Sequence, residues 1–374
     1  MKITIATGLY PPESGGPATY VSLLEETLPK HGIELNAVPF RDVRKYPKLI
    51  RHFAYTYKLW RASNSSDLIL ALDPVSVGLP TLVVSLLARR RYILRVPGDY
   101  AWEQGQLRFG VEDKLHEFIE KRMSYGWQVS LLCRIESLVA KKALHVIVPS
   151  DYMKSAVAKW GVEPKKITRV YSALTPIEVG ESKSELREEF SFVGPVITSC
   201  GRLVPNKGFP TLIKAFSEVL KAKPDSRLII IGDGPQQEEL VKLITELDIS
   251  KNVQLTGRLD KVELGRIIKA SDLFVLNTAH EGMSHQLLEV IYLGTPIITT
   301  PVGGNVELIT DGVEGKLVPY EDDGAIEKAI LELLNGIEKG RDFATKAKLK
   351  LKMFEREVSV KETVDILLSE INNK

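Results

Sequence analysis

Short apolar runs alternate along this chain with stretches long enough for helices, and that alternation decides what it can fold into. In the first half the runs are KITIAT, ELNAVPF, DLILAL, YILRVP, HVIVPS and ITRVY, with helices expected near 17–30, 47–61, 76–88, within 112–143 and near 151–160. Such a pattern specifies a parallel sheet covered by helices. The segment SALTPIEVGESKS, 172–184, interrupts it. A second series then runs through PVITSC, RLIIIGDG, VQLTGRL, DLFVLNT, PIITTPV and GKLVP. The simplest architecture is α/β with two doubly wound domains, 1–175 and 181–355, a division that suits a chain of 374 residues. Open parallel sheets bind ligands beyond the carboxyl ends of their strands, so two such sheets facing each other are expected to define a ligand cleft.

Composition narrows the class. Cys133 and Cys200 are too few for a disulfide framework or a cysteine-rich metal site, which favours a reducing compartment. MKITIAT reads as a strand rather than a secretion signal, and the longest apolar stretch, about 75–88, is broken by Gly78 and Pro80 and is too short to span a bilayer. Residues 1–175 carry 25 Lys and Arg against 16 Asp and Glu, so the first half is basic and the second acidic. Much of the basic charge falls in RDVRKYPKLIRHFAYTYKLWR, 41–61, where Val43, Tyr46, Ile50, Phe53, Tyr57 and Trp60 recur at helical spacing. A helix between two strands is expected to bury that face on the sheet. A basic amphipathic helix with aromatics can instead lie on an anionic membrane. The expected location is therefore cytoplasmic, with peripheral contact to the inner face of the membrane through the basic first domain.

The residues that point to chemistry follow the strands of the second half. In AHEGMSHQLLEVIYLGTP, Glu281 stands at a strand-to-helix turn and Glu289 inside the helix that follows. Eight residues of helix separate them by about 12 Å, too far for a close acid/base pair. Between them, the first amides of the helix, at Met283, Ser284, His285 and Gln286, have no helical partners and suit an anion. Carboxylates on either side accept hydrogen bonds from hydroxyls. A ligand with phosphate in the middle and hydroxyls at both ends is a nucleotide sugar. GRLVPNKG, 201–208, adds Arg202 and Lys207, which can neutralise a diphosphate and stabilise the charge that grows on it as it departs. GDGP, with Gly232, and PVGGNVEL, where Asn305 is expected to cap a helix, are further strand-to-helix junctions. In the first half, YPPESGGPATYV brings Gly15 and Gly16 to a helix start where amides can approach a phosphate. No Asp-x-Asp occurs, so no metal and no cofactor are expected. The P-loop, GxSxG and HExxH motifs are also absent. No nucleic-acid partner is expected, because such a role has no use for Glu281.

Taken together, GGPATYV, GRLVPNKG, GDGP, the stretch from Glu281 to Glu289 and PVGGNVEL resemble the retaining glycosyltransferases of family 4, which have the GT-B fold of two Rossmann-like domains. The resemblance implies Glu281 on the donor sugar, Glu289 on the ribose, Arg202 and Lys207 on the diphosphate, and Gly15 and Gly16 as the N-terminal glycine loop. It also implies a C-terminal helix, about 356–374, that packs back on the first domain. One departure stands out: where many members carry a His after the fourth strand, this chain reads RVPGDYAWE, and Asp99 is the nearest polar candidate. The expected reaction is transfer of a hexose, with retention and without a metal, to a hydroxyl of a glycan, lipid-linked or small-molecule acceptor. A front-face route, in which the departing phosphate oxygen helps deprotonate the acceptor, needs no enzyme nucleophile. A sugar phosphorylase or nucleotide-sugar epimerase on the same architecture remains the alternative, since fold does not decide reaction.

Overall fold

A computed structural model describes residues 1–13 and 15–372, leaving aside the side chains of Lys48 and Leu49. It divides into two compact units, one of residues 1–173 with the segment from Arg356 onward, the other of Leu174–Glu355. The last two residues of the expected C-terminal helix lie outside the described ones.

The first unit has six parallel strands: β1 (Lys2–Thr7), β2 (Glu34–Pro39), β3 (Leu68–Ala71), β4 (Tyr92–Arg95), β5 (Val146–Val148) and β6 (Ile167–Arg169), in the order β2-β1-β3-β4-β5-β6. Its helices are α1 (Gly16–Thr27), α2 (Lys48–Ser63), α3 (Gly78–Ala88), α4 (Tyr100–Arg108), α5 (Leu115–Glu120), α6 (Trp127–Lys142) and α7 (Asp151–Lys159). Successive strand residues point to opposite faces, and both faces are apolar. Ile3, Ile5, Leu68, Leu70, Ile93 and Ile147 pack against α1 and against Val360, Val364 and Leu367 of the C-terminal helix Arg356–Asn372. The intervening residues, among them Ile69, Tyr92, Leu94 and Val146, pack under α2, α3 and α6. Tyr20 and Thr363 share a buried hydroxyl contact of 3.0 Å that fixes the C-terminal helix to α1.

The second unit repeats the plan with β7 (Val196–Cys200), β8 (Arg227–Ile231), β9 (Val253–Gly257), β10 (Leu273–Leu276), β11 (Ile297–Thr299) and β12 (Lys316–Leu317), in the order β12-β11-β10-β7-β8-β9. Its helices are α8 (Lys183–Glu189), α9 (Phe209–Ala222), α10 (Gln237–Glu246), α11 (Lys261–Ala270), α12 (His285–Leu293), α13 (Asn305–Leu308), α14 (Asp323–Asn335) and α15 (Ile337–Lys350), and the C-terminal helix of the first unit is α16. Every strand pair in both sheets is parallel.

Three features depart from expectation. Residues 112–143 form two helices, α5 and α6, rather than one long region. The stretch after β4 is helical: Asp99 caps α4 by accepting from Trp102 N at 2.9 Å. The third concerns α2. Of the face expected to be buried, Val43, ahead of the helix, is buried, while Tyr46, Ile50, Phe53, Tyr57 and Trp60 range from 42% to 78% exposed. Tyr55 and Leu59 are buried on the sheet instead. Both faces repeat at helical spacing, so periodicity alone does not choose between them. The sheet takes the face where Tyr55 finds a hydrogen-bond partner, the Val38 carbonyl at 2.7 Å. Leu86 and Leu87 of α3, which packs beside α2, extend the exposed apolar surface. No helix among the described residues is long and apolar enough to cross a membrane.

Candidate functional site

In the second sheet β7 comes first in sequence, and the chain winds away from it on both sides, to β8 and β9 and to β10, β11 and β12. The loops after β7 and β10 therefore part at the topological switch point, where open α/β sheets leave a crevice. Gly201 to Gly208 follows β7, and Asn277 to Ser284 follows β10. Hydrogen bonds lock the two loops together. Asn277 donates to the Gly208 carbonyl at 3.0 Å, Ala279 N to the Asn206 carbonyl at 2.8 Å, and Thr278 Oγ1 to the same carbonyl at 3.2 Å.

A third loop supports them from beneath. Gly303 and Gly304 of PVGGNVEL press against the backbone of Glu281 and Gly282. Gly304 N donates to the Glu281 carbonyl at 2.9 Å, and a Cβ on Gly303 would fall 1.7 Å from that same oxygen. Paired glycines are thus required by close backbone approach. Asn305 does not cap its helix. Gly304 occupies that position, and the buried Asn305 amide turns inward to Thr299 Oγ1 at 3.2 Å and the Thr300 carbonyl at 3.3 Å. Gly232 has a similar packing role, since a Cβ there would stand 1.9 Å from the Gly201 carbonyl oxygen.

On this frame the side chains converge. Lys207 Nζ pairs with Glu281 Oε1, and both side chains are largely buried. Glu289 reaches back from the second turn of α12 and accepts from Lys261 Nζ, the first residue of α11, at 3.3 Å. Burial pushes the Glu289 carboxyl up, against the pull of Lys261. Arg202 is exposed, and its side chain has no ion pair or hydrogen bond among the described residues. Ser284 caps α12 by accepting from Leu287 N at 3.3 Å, and Met283 beside it is buried. Gln286 reaches the loop after β7, its Nε2 lying 3.8 Å from where a Gly201 Cβ would be. His285 opens the helix between them. His280 is pushed down to about 3 by burial and then by Lys207, so it is neutral across the physiological range. The site offers one free guanidinium, two paired lysines, a helix start and two carboxylates.

Gly15 and Gly16 lie in the first unit, at the N-terminal end of α1 with Pro17 in its first turn. Asp99 is wholly buried. It accepts from Arg122 at 2.6 Å as well as from Trp102 N, and Arg122 also donates to Glu136, which is equally buried. Burial and the neighbouring Asp99 push the Glu136 carboxyl well up. Asp99 is therefore bonded within the core rather than open to a sugar, which overturns the expectation drawn from its place after β4. Lys261 escaped the sequence reading because nothing in DKVEL signals a partner 28 residues away. Among the described residues no cluster of three or more His, Cys, Asp or Glu could hold a metal ion.

Comparisons with known proteins fall on the same elements. Residues 183–350 match the family model described as glycosyl transferases group 1. A GDP-mannose-dependent monoacylated alpha-(1-6)-phosphatidylinositol monomannoside mannosyltransferase of Corynebacterium glutamicum is 34% identical over 184 residues, 47% of this chain and 45% of that relative. The chain thus spans about half the length of the curated relatives it matches. Among solved structures, HepE of Anabaena in complex with UDP is similar over 99% of this chain and 100% of its own, with a TM-score of 0.79 and 19% identity. Sucrose-phosphate synthase of Thermosynechococcus elongatus is similar over 100% of both chains, with a TM-score of 0.83 and 17% identity. At such identities the likeness is one of fold, and that fold is GT-B, built on two α/β units each with a six-stranded parallel sheet.

Proposed function

We propose that this chain is a retaining glycosyltransferase that moves a hexose from a nucleotide diphosphate donor to a hydroxyl of a glycan or lipid-linked acceptor. The observation that carries the reading is the convergence of Arg202, Lys207, Glu281, Glu289 and the start of α12 at the β7/β10 switch point. In it Arg202 and Lys207 meet the diphosphate, Glu281 the sugar hydroxyls and Glu289 the ribose, with the amides from Met283 to Gln286 between them. Gly15 and Gly16, at the start of α1, supply amides suited to a phosphate. Two protein cations take the diphosphate charge, so the reaction proceeds without a metal.

The bond from the anomeric carbon to the phosphate oxygen breaks, and the acceptor oxygen bonds the same face of that carbon. The acceptor's proton passes to the departing phosphate. Charge accumulating on that phosphate is met by Arg202 and Lys207, which is where their contribution to rate arises. Asp99 acts in the packing of α4 and takes no part in this step.

The Corynebacterium relative is named for a GDP-mannose donor and a phosphatidylinositol-linked acceptor, and HepE is bound to UDP, which supports a nucleotide-sugar donor and a membrane-borne acceptor. The exposed stripe Tyr46, Ile50, Phe53, Tyr57 and Trp60, in a basic segment, supports peripheral contact with the inner face of the cytoplasmic membrane. A thermal-shift panel of UDP, GDP and ADP sugars tests the donor, since a ligand of the folded state raises its stability. At least one is expected to do so, and to lose the effect in Glu289→Ala. No shift from any nucleotide sugar refutes the reading.

A further inference from the structure

Two polar side chains of the candidate site lie side by side on α12. Gln286 stands in its first turn and Glu289 three residues on, and residues at that spacing are neighbours on a helix surface. The face they share looks onto the end of β7. Gln286 Nε2 lies 3.8 Å from where a Gly201 Cβ would be. Burial and then the Glu289 charge push the thiol of Cys200, the residue before that glycine, up to about 12.

Their hydrogen-bonding capacities are unevenly used. Glu289 accepts from Lys261 Nζ through Oε1, at 3.3 Å, and its Oε2 has no partner among the described residues. Gln286 Oε1 is buried and likewise has no partner among them. Ser284, the polar side chain just ahead on this turn, is committed to the helix cap. A buried acceptor without a donor is unfavourable by itself and marks where a ligand's donor belongs. Packing alone does not call for a carboxamide at this position, since an apolar side chain of the same length would fill the space without stranding an oxygen.

One oxygen from a carboxylate and one from a carboxamide, side by side, match a pair of adjacent hydroxyls, each of which donates once. In the reading above Glu289 meets the ribose, whose 2′ and 3′ hydroxyls are such a pair. We propose that Gln286 selects the donor: its Oε1 accepts from one ribose hydroxyl and Glu289 Oε2 from the other, with Lys261 holding the carboxylate's remaining oxygen. The site then takes ribonucleotide sugars in preference to their 2′-deoxy counterparts. A hydroxyl missing from the ligand leaves its acceptor buried and unpaired, which is how a polar site rejects an analogue that lacks the group. The inference rests on the glycosyl-transfer reading and adds to it the class of nucleotide in the donor.

The test is calorimetric titration of the full chain with UDP, GDP and ADP, and with the 2′-deoxy and 3′-deoxy forms of whichever binds. The parent is expected to bind the ribonucleotide about fivefold more tightly than either deoxy form, the effect of one hydrogen bond at each hydroxyl. Gln286→Met removes the acceptor and keeps the length of the side chain. It should weaken the ribonucleotide about fivefold and bind it no better than one of the two deoxy forms, while still preferring it to the other. Glu289→Ala should lose the complementary preference. Gln286→Glu retains an accepting oxygen and should keep both preferences, whatever the added charge does to affinity. Gln286→Ala removes the same acceptor and repeats the test should methionine disturb the fold. A change that merely loosened α12 would weaken all three ligands by one factor and leave the preferences intact. The inference is overturned by that result, by Gln286→Met binding like the parent, or by Gln286→Met and Glu289→Ala losing the preference for the same hydroxyl. If none of the three ribonucleotides binds the parent, the glycosyl-transfer reading itself fails. If one binds no more tightly than its deoxy forms, only the role of Gln286 does.

Discussion

Gly303→Ala is the substitution that most directly tests whether the backbone beneath Glu281 sets its position. The new Cβ would stand 1.7 Å from the Glu281 carbonyl oxygen. A tolerable carbon-to-oxygen contact is about 3.3 Å, so the loop must withdraw by about 1.6 Å. The residue also sits at a φ of 54°, where an L side chain costs about 1–2 kcal/mol. Withdrawal breaks the 2.9 Å bond from Gly304 N to Glu281, worth about 1 kcal/mol. Together these destabilise the protein by about 2–3 kcal/mol, a fall in Tm of roughly 5–10 °C for a unit of this size. Displacing the carboxylate proposed to contact the sugar by more than an ångström should lower turnover by about 100-fold. The assay is hydrolysis of the preferred nucleotide sugar, with Tm measured on the same preparations. Gly312→Ala is the control: its φ is also left-handed, at 71°, but no atom lies within 4 Å of the added Cβ. It should lose about 1 kcal/mol of stability and keep its turnover. Parental turnover in Gly303→Ala would refute the proposition that this contact positions Glu281.

Glu289 titrates higher in the folded than in the unfolded chain, so the native state holds the extra proton and stability falls as pH rises from the ordinary carboxyl range to the raised value. Glu289→Gln should therefore be more stable than the parent at pH 7 and no more stable at pH 4, while binding nucleotide about tenfold more weakly; thermal denaturation across pH and calorimetry read the two effects. Arg122→Met strands the buried carboxyls of Asp99 and Glu136 and should cost about 3–5 kcal/mol in chemical denaturation. Asp99→Asn keeps the helix cap and the Arg122–Glu136 pair and should cost about 1.5–3 kcal/mol, the loss of the charge-assisted bond from Arg122, with turnover retained. Phe53→Ser with Trp60→Ser should leave Tm within a degree or two, because both side chains are already exposed, and should abolish flotation with anionic vesicles at low salt.

How far the sequence reveals the molecule depends on how far apart the interacting residues lie. Strands such as LILA and VITSC declare themselves because a strand buried on both faces has no polar positions to hide among. GRLVPNKG and HEGMSH are legible because loops at strand ends carry residues that the fold does not need. α4 went unseen for the opposite reason: nine residues containing Glu103, Gln104 and Gln106 show little apolar rhythm. The Asp99 cap was the available signal, and it read as a ligand residue because capping and hydroxyl binding use the same oxygen chemistry. The expectation for α2 chose the face that proves exposed, since both faces obey the same period. Lys261 beside Glu289, and Gln286 beside Gly201, join residues that only tertiary structure brings together.

The pairing of Lys207 with Glu281 bears on how a donor is recognised. A diphosphate that takes Lys207 must draw it away from Glu281. That leaves a largely buried carboxylate beside two phosphate charges, an arrangement in which like charges repel and the lost partner is not replaced. Sugar hydroxyls change the balance, because each can donate to Glu281 as the lysine leaves. The two contacts are therefore coupled: phosphate binding is opposed by Glu281 unless the sugar is attached. Glu281→Gln removes the negative charge and frees Lys207. It should bind the nucleoside diphosphate alone more tightly than the parent, by up to about tenfold for one relieved charge contact, while losing the added affinity that the sugar brings. Calorimetry with the nucleoside diphosphate and its sugar on both proteins measures the four affinities. If Glu281→Gln weakened both ligands by the same factor, Glu281 would be holding the nucleotide rather than selecting the sugar, and the coupling would have to be abandoned.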